Sequence, residues 1–302
     1  MLLHCLISHT CYNSFIIRYQ LQLKAPRLTF KDIGTRGRLG NQLFQIASTI
    51  GIAETNGLLW EFPTSIANCT AGQLFRLHGD FEQNDPLLNF TVYEEVDEAS
   101  YNAKLPIERI SSHNMISLRG YFQEYRYFER SHGSLRNYLK VPPELISHVR
   151  SAVPEVSWKH SLTLHIRRGD YVGNHLYSSV EFEYYQRALR QFENVSVIII
   201  VTDDKTWAEL EVVPRLRTQY KVIMSPFDSA SHDFVLLMLG EHMILANSSF
   251  SWWAAYMRKF HTGLRHGHIC APQPWYNVSS RFSRLNRLSF YPSDWRLIRV
   301  TQ

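Results

Sequence analysis

Two adjacent arginines, Arg167 and Arg168, stand in the segment HIRRGD (165–170), directly after an apolar run that reads as a buried strand. A guanidinium at a strand end is costly to leave unpaired, and its planar fork fits the oxygens of a phosphate. His165 and Asp170 flank the pair, so the segment reads either as an anion site with Asp170 orienting an arginine or as a structural Arg–Asp pair. Asp203 and Asp204 follow a second buried run, VSVIIIV (195–201). Carboxylates at such a strand end serve a ribose, a sugar hydroxyl or a metal, or one of them caps the next helix. No Asp-x-Asp occurs in the chain, which weakens the metal option.

Two further segments carry chemistry. In GTRGRLGNQLFQ (34–45), glycines at 34, 37 and 40 allow backbone amides to approach a ligand. Asn41 is suited to cap the helix that follows, whose N-terminus attracts anions. The spacing is neither GxGxxG nor a P-loop, and the plainer reading is a tight turn with Asn41 as an N-cap. In NSSFSWWAAY (247–256), Ser249, Phe250 and Ser251 fall at a strand-to-helix turn that offers hydroxyls and helix-terminal amides to a phosphate. At least one of Trp252 and Trp253 belongs to core packing.

The elements that must hold these segments alternate. Strand-like runs at 162–167, 195–201, 221–224, 243–246 and 268–271 are separated by helix-length stretches at 181–192, 233–242 and 251–260. In 181–192, Phe182, Tyr185, Leu189 and Phe192 form one apolar stripe. This alternation predicts a parallel sheet covered by helices, with ligands at the carboxyl ends of its strands. The N-terminal half starts the same way, with a strand at 28–33, the glycine loop, a helix at 42–54 and a strand at 58–62. Residues 74–97 read as irregular, and the prolines in 142–158 mark a domain boundary. The predicted organisation is a segment 1–27, a domain 28–157 and a domain 158–302.

Composition sets the limits. The 302 residues suggest about two domains, and 45% hydrophobic residues with 20% charged exclude a disordered chain or a small disulfide scaffold. A formal charge of +5 names no partner, but it is unevenly spread. From 80 to 98 there are seven acids and no Lys or Arg, while from 251 to the end eight Lys or Arg face one acid. An anionic ligand therefore belongs with the C-terminal half. No nucleic-acid-binding module accompanies that basic surplus. Cys5, Cys11, Cys69 and Cys270 have no zinc spacing, and His261, His266 and His268 lack carboxylate or cysteine partners, so no metal site is expected. Sequons at Asn68, Asn89, Asn194, Asn247 and Asn277 point to a secretory-pathway lumen, with Asn247 unmodified inside its apolar segment. Residues 1–26 contain no run of about 20 apolar residues, so no membrane span or clean signal peptide is visible there.

The motifs GRLGNQLFQIAS, HIRRGDY, VTDD, NSSFSWWAAY and YPSDW, with Gly120-Tyr121-Phe122-Gln123 and Tyr127-Phe128, together resemble the galactoside alpha-1,2-fucosyltransferase family, from about residue 28 to 299. The resemblance implies an α/β fold of the GT-B type, two Rossmann-like domains with a donor cleft between them. It further implies GDP-fucose as donor, a galactose-terminated glycan as acceptor, inversion at the anomeric carbon and no metal or other cofactor. By that likeness Arg167 and Asn41 are catalytic. His165, Arg167, Arg168, Asp170, Asp203, Asp204, Ser249, Phe250, Ser251 and Gly40 line the donor site, with Asn41 and Gly40 facing it from the other domain. A catalytic base is not identified; Asp170 reads as structural, and Asp203 or Asp204 stays open. HxRRxD is shared with alpha-1,6- and protein O-fucosyltransferases, so those linkages remain rivals, as does a catalytically silent sugar- or nucleotide-binding relative. The family implies a Golgi membrane enzyme with a lumenal catalytic domain, whose anchor residues 1–26 do not supply.

Overall fold

The run that reads as doubly buried is so in the structure. All six residues of Val197–Thr202 are buried, as are all six of Ser161–Ile166 beside it, while Val195 is half-buried and Ser196 exposed. The computed structural model describes residues 26–95, 102–105, 115–178, 180–260, 267–280, 282–286 and 290–300. The segment 1–25 and the histidines 261 and 266 lie outside the described residues.

In the first half, β1 (Arg27–Thr29) leads through the glycine loop to α1 (Leu39–Thr55). β2 (Leu59–Trp60), α2 (Thr70–Phe75), β3 (Phe90–Glu94), β4 (Met115–Arg119), α3 (His132–Tyr138) and α4 (Pro143–Ser151) follow. The second half runs β5 (Ser161–Ile166), α5 (Phe182–Leu189) and β6 (Val197–Thr202). A short helical stretch follows, α6 (Lys205–Trp207), a π-helical turn (Ala208–Val212) and α7 (Val213–Leu216). It then continues with β7 (Lys221–Met224), α8 (Ala230–Leu239), β8 (His242–Ile244), α9 (Ser249–Met257), β9 (Ile269–Gln273) and β10 (Arg296–Arg299).

Two all-parallel sheets result, ordered β2-β1-β4-β3 and β10-β9-β8-β5-β6-β7. The fold is therefore α/β with two Rossmann-like sheets, as the alternating pattern requires. The second order reverses direction once, between β5 and β8; in the first, β1 and β4 lie side by side at the centre although the chain visits both edge strands between them. At such a reversal the loops leave to opposite faces and open a crevice at the carboxyl edge.

The core is continuous across both halves. α1 is buried on nearly every side because it lies between the first sheet and α9. Phe44 of α1 meets Trp252 and Trp253 of α9 at 4.7 and 5.2 Å, and Phe128 stacks on Trp253 at 5.2 Å. Both tryptophans are 0% exposed, so core packing claims both. The crevice between the sheets therefore sits on an aromatic floor shared by both halves.

Several local expectations change. β1 ends at Thr29 instead of 33 because the chain turns, with the Ile33 amide on the Phe30 carbonyl at 3.1 Å. Residues 74–97 hold β3, an edge strand whose half-exposed residues give no apolar signal. β10, flanked by two arginines, escaped for the same reason. The proline-marked stretch 142–158 contains α4, with Pro143 at its first turn, where a missing N–H costs nothing. Cys69 and Cys270 are free and buried, Cys69 Sγ capping α2 through the Gly72 amide at 3.3 Å. Among the described residues no helix is long and apolar enough to cross a membrane.

Candidate active site

The second sheet's crevice collects two of the motifs. HIRRGD leaves the end of β5, and NSSFS leaves the end of β8, the neighbouring strand across the reversal. His165 and Phe250, one from each motif, lie with ring centroids 5.5 Å apart. His165 is 4% exposed, and its Nδ1 has no hydrogen-bond partner. Burial, and secondarily the neighbouring Arg167, drive its pKa down to about 3, so the imidazole is neutral.

Arg167 is held from two sides. Its Nη1 pairs with Asp203 Oδ2 at 2.8 Å, its Nη2 pairs with Asp170 Oδ1, and its guanidinium lies 5.4 Å from the centre of the Tyr171 ring. Asp203 Oδ1 also accepts the Arg168 amide at 2.8 Å. Arg168 stacks on Trp207 at 3.9 Å and reaches Asp204 Oδ2 at 3.4 Å, while Asp204 caps α6 by accepting the Trp207 amide at 3.0 Å. Both carboxylates of VTDD are thus engaged in aiming the two arginines, and Asp204 takes the capping role as well.

The first sheet's crevice meets this arrangement. Its loops after β1 and β4 carry the glycine segment and the turn 120–123. Arg38 Nη2 pairs with Asp170 Oδ2 at 3.1 Å, so Asp170 is shared by arginines from both halves. Asn41 Oδ1 accepts from Gln123 Nε2 at 2.7 Å and from Ser249 Oγ at 2.8 Å. Asn41 is not the N-cap of α1. Arg38 occupies that position, and Asn41 sits in the first helical turn. Its acceptor oxygen is saturated by the two bonds, and its N–H2 remains as donor.

The glycines serve close packing more than open access. A Cβ on Gly40 would fall 2.6 Å from both Ser249 Oγ and the Phe250 amide nitrogen, and one on Gly37 would collide with the Asn41 side chain. The N-terminal turns of α1 and α9 therefore converge. Ser249 and Phe250 are half-buried in the first turn of α9. Ser251 differs from the expectation that its side chain faces a phosphate. It is 0% exposed, and its hydroxyl donates to the Ala246 and Ser248 carbonyls at 3.3 and 3.2 Å.

Sequence reasoning missed Arg38, Gln123 and Asp233. Arg38 was legible as a cation three residues before Asn41 and Gln123 as a member of the Gly120-Tyr121-Phe122-Gln123 motif; Asp233 left no local signal. Asp233, near the start of α8, accepts a hydrogen bond from Ser225 at the end of β7, and desolvation lifts its pKa to about 6. A carboxyl whose folded pKa exceeds its unfolded one stabilises the fold only while protonated. That contribution is complete below about pH 4 and is lost as pH rises through about 6. Asp233→Asn, which mimics the protonated form, therefore raises Tm above wild type by roughly 2–4 °C at pH 8 and leaves it unchanged at pH 4. Thermal melts at the two pH values check this, and equal Tm at pH 8 would refute it.

A recess of about 690 Å³ opens after β2, with Thr64, Ser65 and Asn68 on one wall and Glu82, Gln83, Asn84 and Asp85 on the other. Volume alone would direct attention there. Its walls carry no cation for a phosphate, and none of the site residues above lies in it. His268 stacks on His242 at 6.0 Å, and among the described residues no group of three or more His, Cys, Asp or Glu could hold a metal ion.

Two Rossmann-like parallel sheets with paired arginines at the crevice agree with the comparison to known proteins. Residues 3–295 match the model of Glycosyl transferase family 11, and the chain belongs to that family. An O-antigen biosynthesis glycosyltransferase, WbnK, of Escherichia coli is 32% identical over 39% of this chain and 39% of its own length. An alpha-1,2-colitosyltransferase of Escherichia coli is 27% identical over 60% of this chain and 61% of its own. The alignments thus span less than two thirds of either bacterial relative. A galactoside 2-alpha-L-fucosyltransferase of Caenorhabditis elegans is 22% identical over 87% of this chain and 78% of its own length. Among solved structures, POFUT1 in complex with GDP superposes with a TM-score of 0.53 at 10% identity, covering 81% of this chain and 98% of that one, which supports the fold.

Proposed function

We propose that this chain transfers L-fucose from GDP-fucose to the 2-hydroxyl of a galactose-terminated glycan, with inversion and without a metal ion. One observation carries the reading. Arg167, Arg38 and the N-terminal turns of α1 and α9 converge where the crevices of two parallel sheets meet. Helix-terminal amides and guanidinium forks are the groups that a diphosphate pairs with. The relatives whose names specify alpha-1,2 or 2-alpha linkage support the regiochemistry.

In this reading residues 158–302 hold the nucleotide and 28–157 face the acceptor. The acceptor hydroxyl oxygen bonds to the anomeric carbon as the bond from that carbon to the β-phosphate oxygen breaks, GDP departs, and the hydroxyl proton passes to water or to the departing phosphate. Negative charge grows on that phosphate in the transition state. Arg167, fixed by Asp170 and Asp203, stabilises it more there than in the ground state. His165, neutral, lines the nucleotide site with Phe250, and Gly40 and the first turn of α9 bring amides to the phosphates. Asn41 offers its N–H2 from the opposite half, with Gln123 and Ser249 orienting it. The Golgi lumen and membrane association belong to the same reading, supported by the exposed sequons at Asn68, Asn89 and Asn194. Asn247 is 1% exposed and spends its amide on the Ser178 and Trp275 carbonyls.

The test is incubation with GDP-fucose and a panel of lactose, N-acetyllactosamine, a chitobiose-core glycan and a Ser/Thr peptide, with and without EDTA, reading linkage by NMR. Fucose alpha-1,2-linked to galactose, in equal yield with EDTA, is the expected result. Fucose on the peptide or the core sugar would replace the acceptor assignment. GDP binding with no transfer would reduce the chain to a binding protein.

A further inference from the structure

The turn 120–123, directly after β4 at the centre of the first sheet, is held in an uncommon backbone shape. Gly120 has φ +152°, and Phe122, a bulky residue, has φ +51°, a left-handed conformation that such a side chain rarely adopts. Such a backbone persists only where its surroundings over-determine it, and here they do. Glu95 Oε2 accepts the amides of Tyr121 and Phe122 at 2.8 and 2.9 Å. Gln45 Nε2 donates to the Gly120 carbonyl at 3.3 Å, and Ser48 Oγ donates to the Phe122 carbonyl at 3.0 Å. The Phe122 ring is 0% exposed, edge-on to Phe30 at 6.3 Å and Tyr127 at 5.5 Å.

What this clamp produces is the placement of two side chains. Gln123 is delivered to Asn41, and Tyr121 is left 36% exposed at the mouth of the crevice. Among the described residues no ring stacks on Tyr121. The nearby tyrosines are different: Tyr171 and Tyr177 cover one another face to face at 3.9 Å, and Tyr276 covers the other side of Tyr177 at 5.6 Å. The Tyr177 phenol is held above its ordinary pKa chiefly by burial, with Asp170 and Tyr121 pushing the same way, so Tyr121 lies within electrostatic reach of Tyr177.

We propose that Tyr121 is the platform on which the acceptor galactoside stacks, its ring against the C3–H, C4–H and C5–H face of the sugar. The proposal rests on the transferase reading above and extends it to the acceptor. A neutral sugar offers no charge to grip; it offers hydroxyls and one apolar face, and an open aromatic ring matches that face while its hydroxyl stays in water. The strained turn sets Tyr121 two residues from Gln123, whose side chain bonds Asn41, so a galactose stacked on the ring lies close to the residues that face the donor.

The test uses saturation-transfer NMR of methyl β-galactoside with the full chain and GDP, on wild type, Tyr121→Phe and Tyr121→Ala. Saturation at H3, H4 and H5 is expected in wild type and Tyr121→Phe and is lost in Tyr121→Ala. In steady state, Tyr121→Ala raises the galactoside KM about tenfold and leaves the GDP-fucose KM within about twofold. Wild type without that saturation, or an alanine variant that keeps both the saturation and the KM, overturns the platform. The two readings separate cleanly. Galactose-face contact without fucose transfer sinks the transferase and leaves the platform, and transfer that ignores Tyr121→Ala does the reverse.

Discussion

Arg167→Lys turns over GDP-fucose at least about 100-fold more slowly than wild type, the loss expected when one preorganised charge donor leaves a group-transfer site. The charge is conserved, so the effect isolates geometry. The guanidinium uses one terminal nitrogen on Asp170 and the other on Asp203, and its plane lies against Tyr171. Each terminal nitrogen still has an N–H to give, and the two directions are set before a phosphate arrives. An ammonium on a flexible stem can satisfy one carboxylate, is strongly hydrated, and cannot hold two directions at once. Because the phosphate gains charge only as the sugar leaves, the loss falls on kcat more than on the donor KM. Steady-state kinetics with GDP-fucose and a galactoside measure this directly. Turnover within threefold of wild type would remove Arg167 from the reaction. A fall in Tm of many degrees would instead show that Arg167 works for the fold, against its position at the crevice rim.

Gly40→Ala is the second large effect, and its sign is the informative part. Within a helix, alanine in place of glycine ordinarily gains up to about 1 kcal/mol. At Gly40 the added carbon would stand 2.6 Å from Ser249 Oγ and the Phe250 amide nitrogen, in the first turn of α9. That helix cannot retreat, because Trp252 and Trp253 pin it to Phe44 and Phe128 in the shared core. The strain must either separate the two helix starts or open that core. The expected result is a Tm lowered by several degrees, about 2–4 °C for each kcal/mol. Turnover falls by more than about tenfold as Asn41 and Ser249 part. Gly133→Ala is the matched control, since α3 leaves nothing within 4 Å of a Cβ there. It should be neutral or stabilising. If Gly40→Ala behaves like Gly133→Ala, the convergence of α1 and α9 is not as tight as the geometry makes it.

The two effects divide the site into parts of different legibility. HIRRGD after a doubly buried strand was readable because period and burial are local properties: an apolar run followed by charges can sit in few places. The same holds for NSSFS before the apolar helix α9. The capping role of Asn41 was misjudged by three residues, because Asn in a glycine-rich turn has a strong local reason to cap and the competing reason, Ser249, lies 208 positions away. Ser251 was overcredited on the same ground, since a hydroxyl near a helix start reads alike whether it faces a ligand or bonds the backbone beneath it.

By itself the sequence determined the α/β class, the strands β5 to β9 of the second sheet, most of the residues able to meet a phosphate, and, through the joint presence of its motifs, the family. Only the tertiary structure decided which of those residues meet. Strand order places β5 beside β8, and so HIRRGD beside NSSFS. The seating of one sheet against the other pairs Arg38 with Asp170 across 132 residues, while packing within the first half pairs Gln123 with Asn41 across 82. It also leaves Tyr121 at the crevice mouth on a turn whose strain is balanced by Glu95, Gln45 and Ser48. The physical reason is range. Periodicity, capping and burial report on a residue's immediate neighbours, whereas an adjacency between distant loops is set by the summed packing of every element between them.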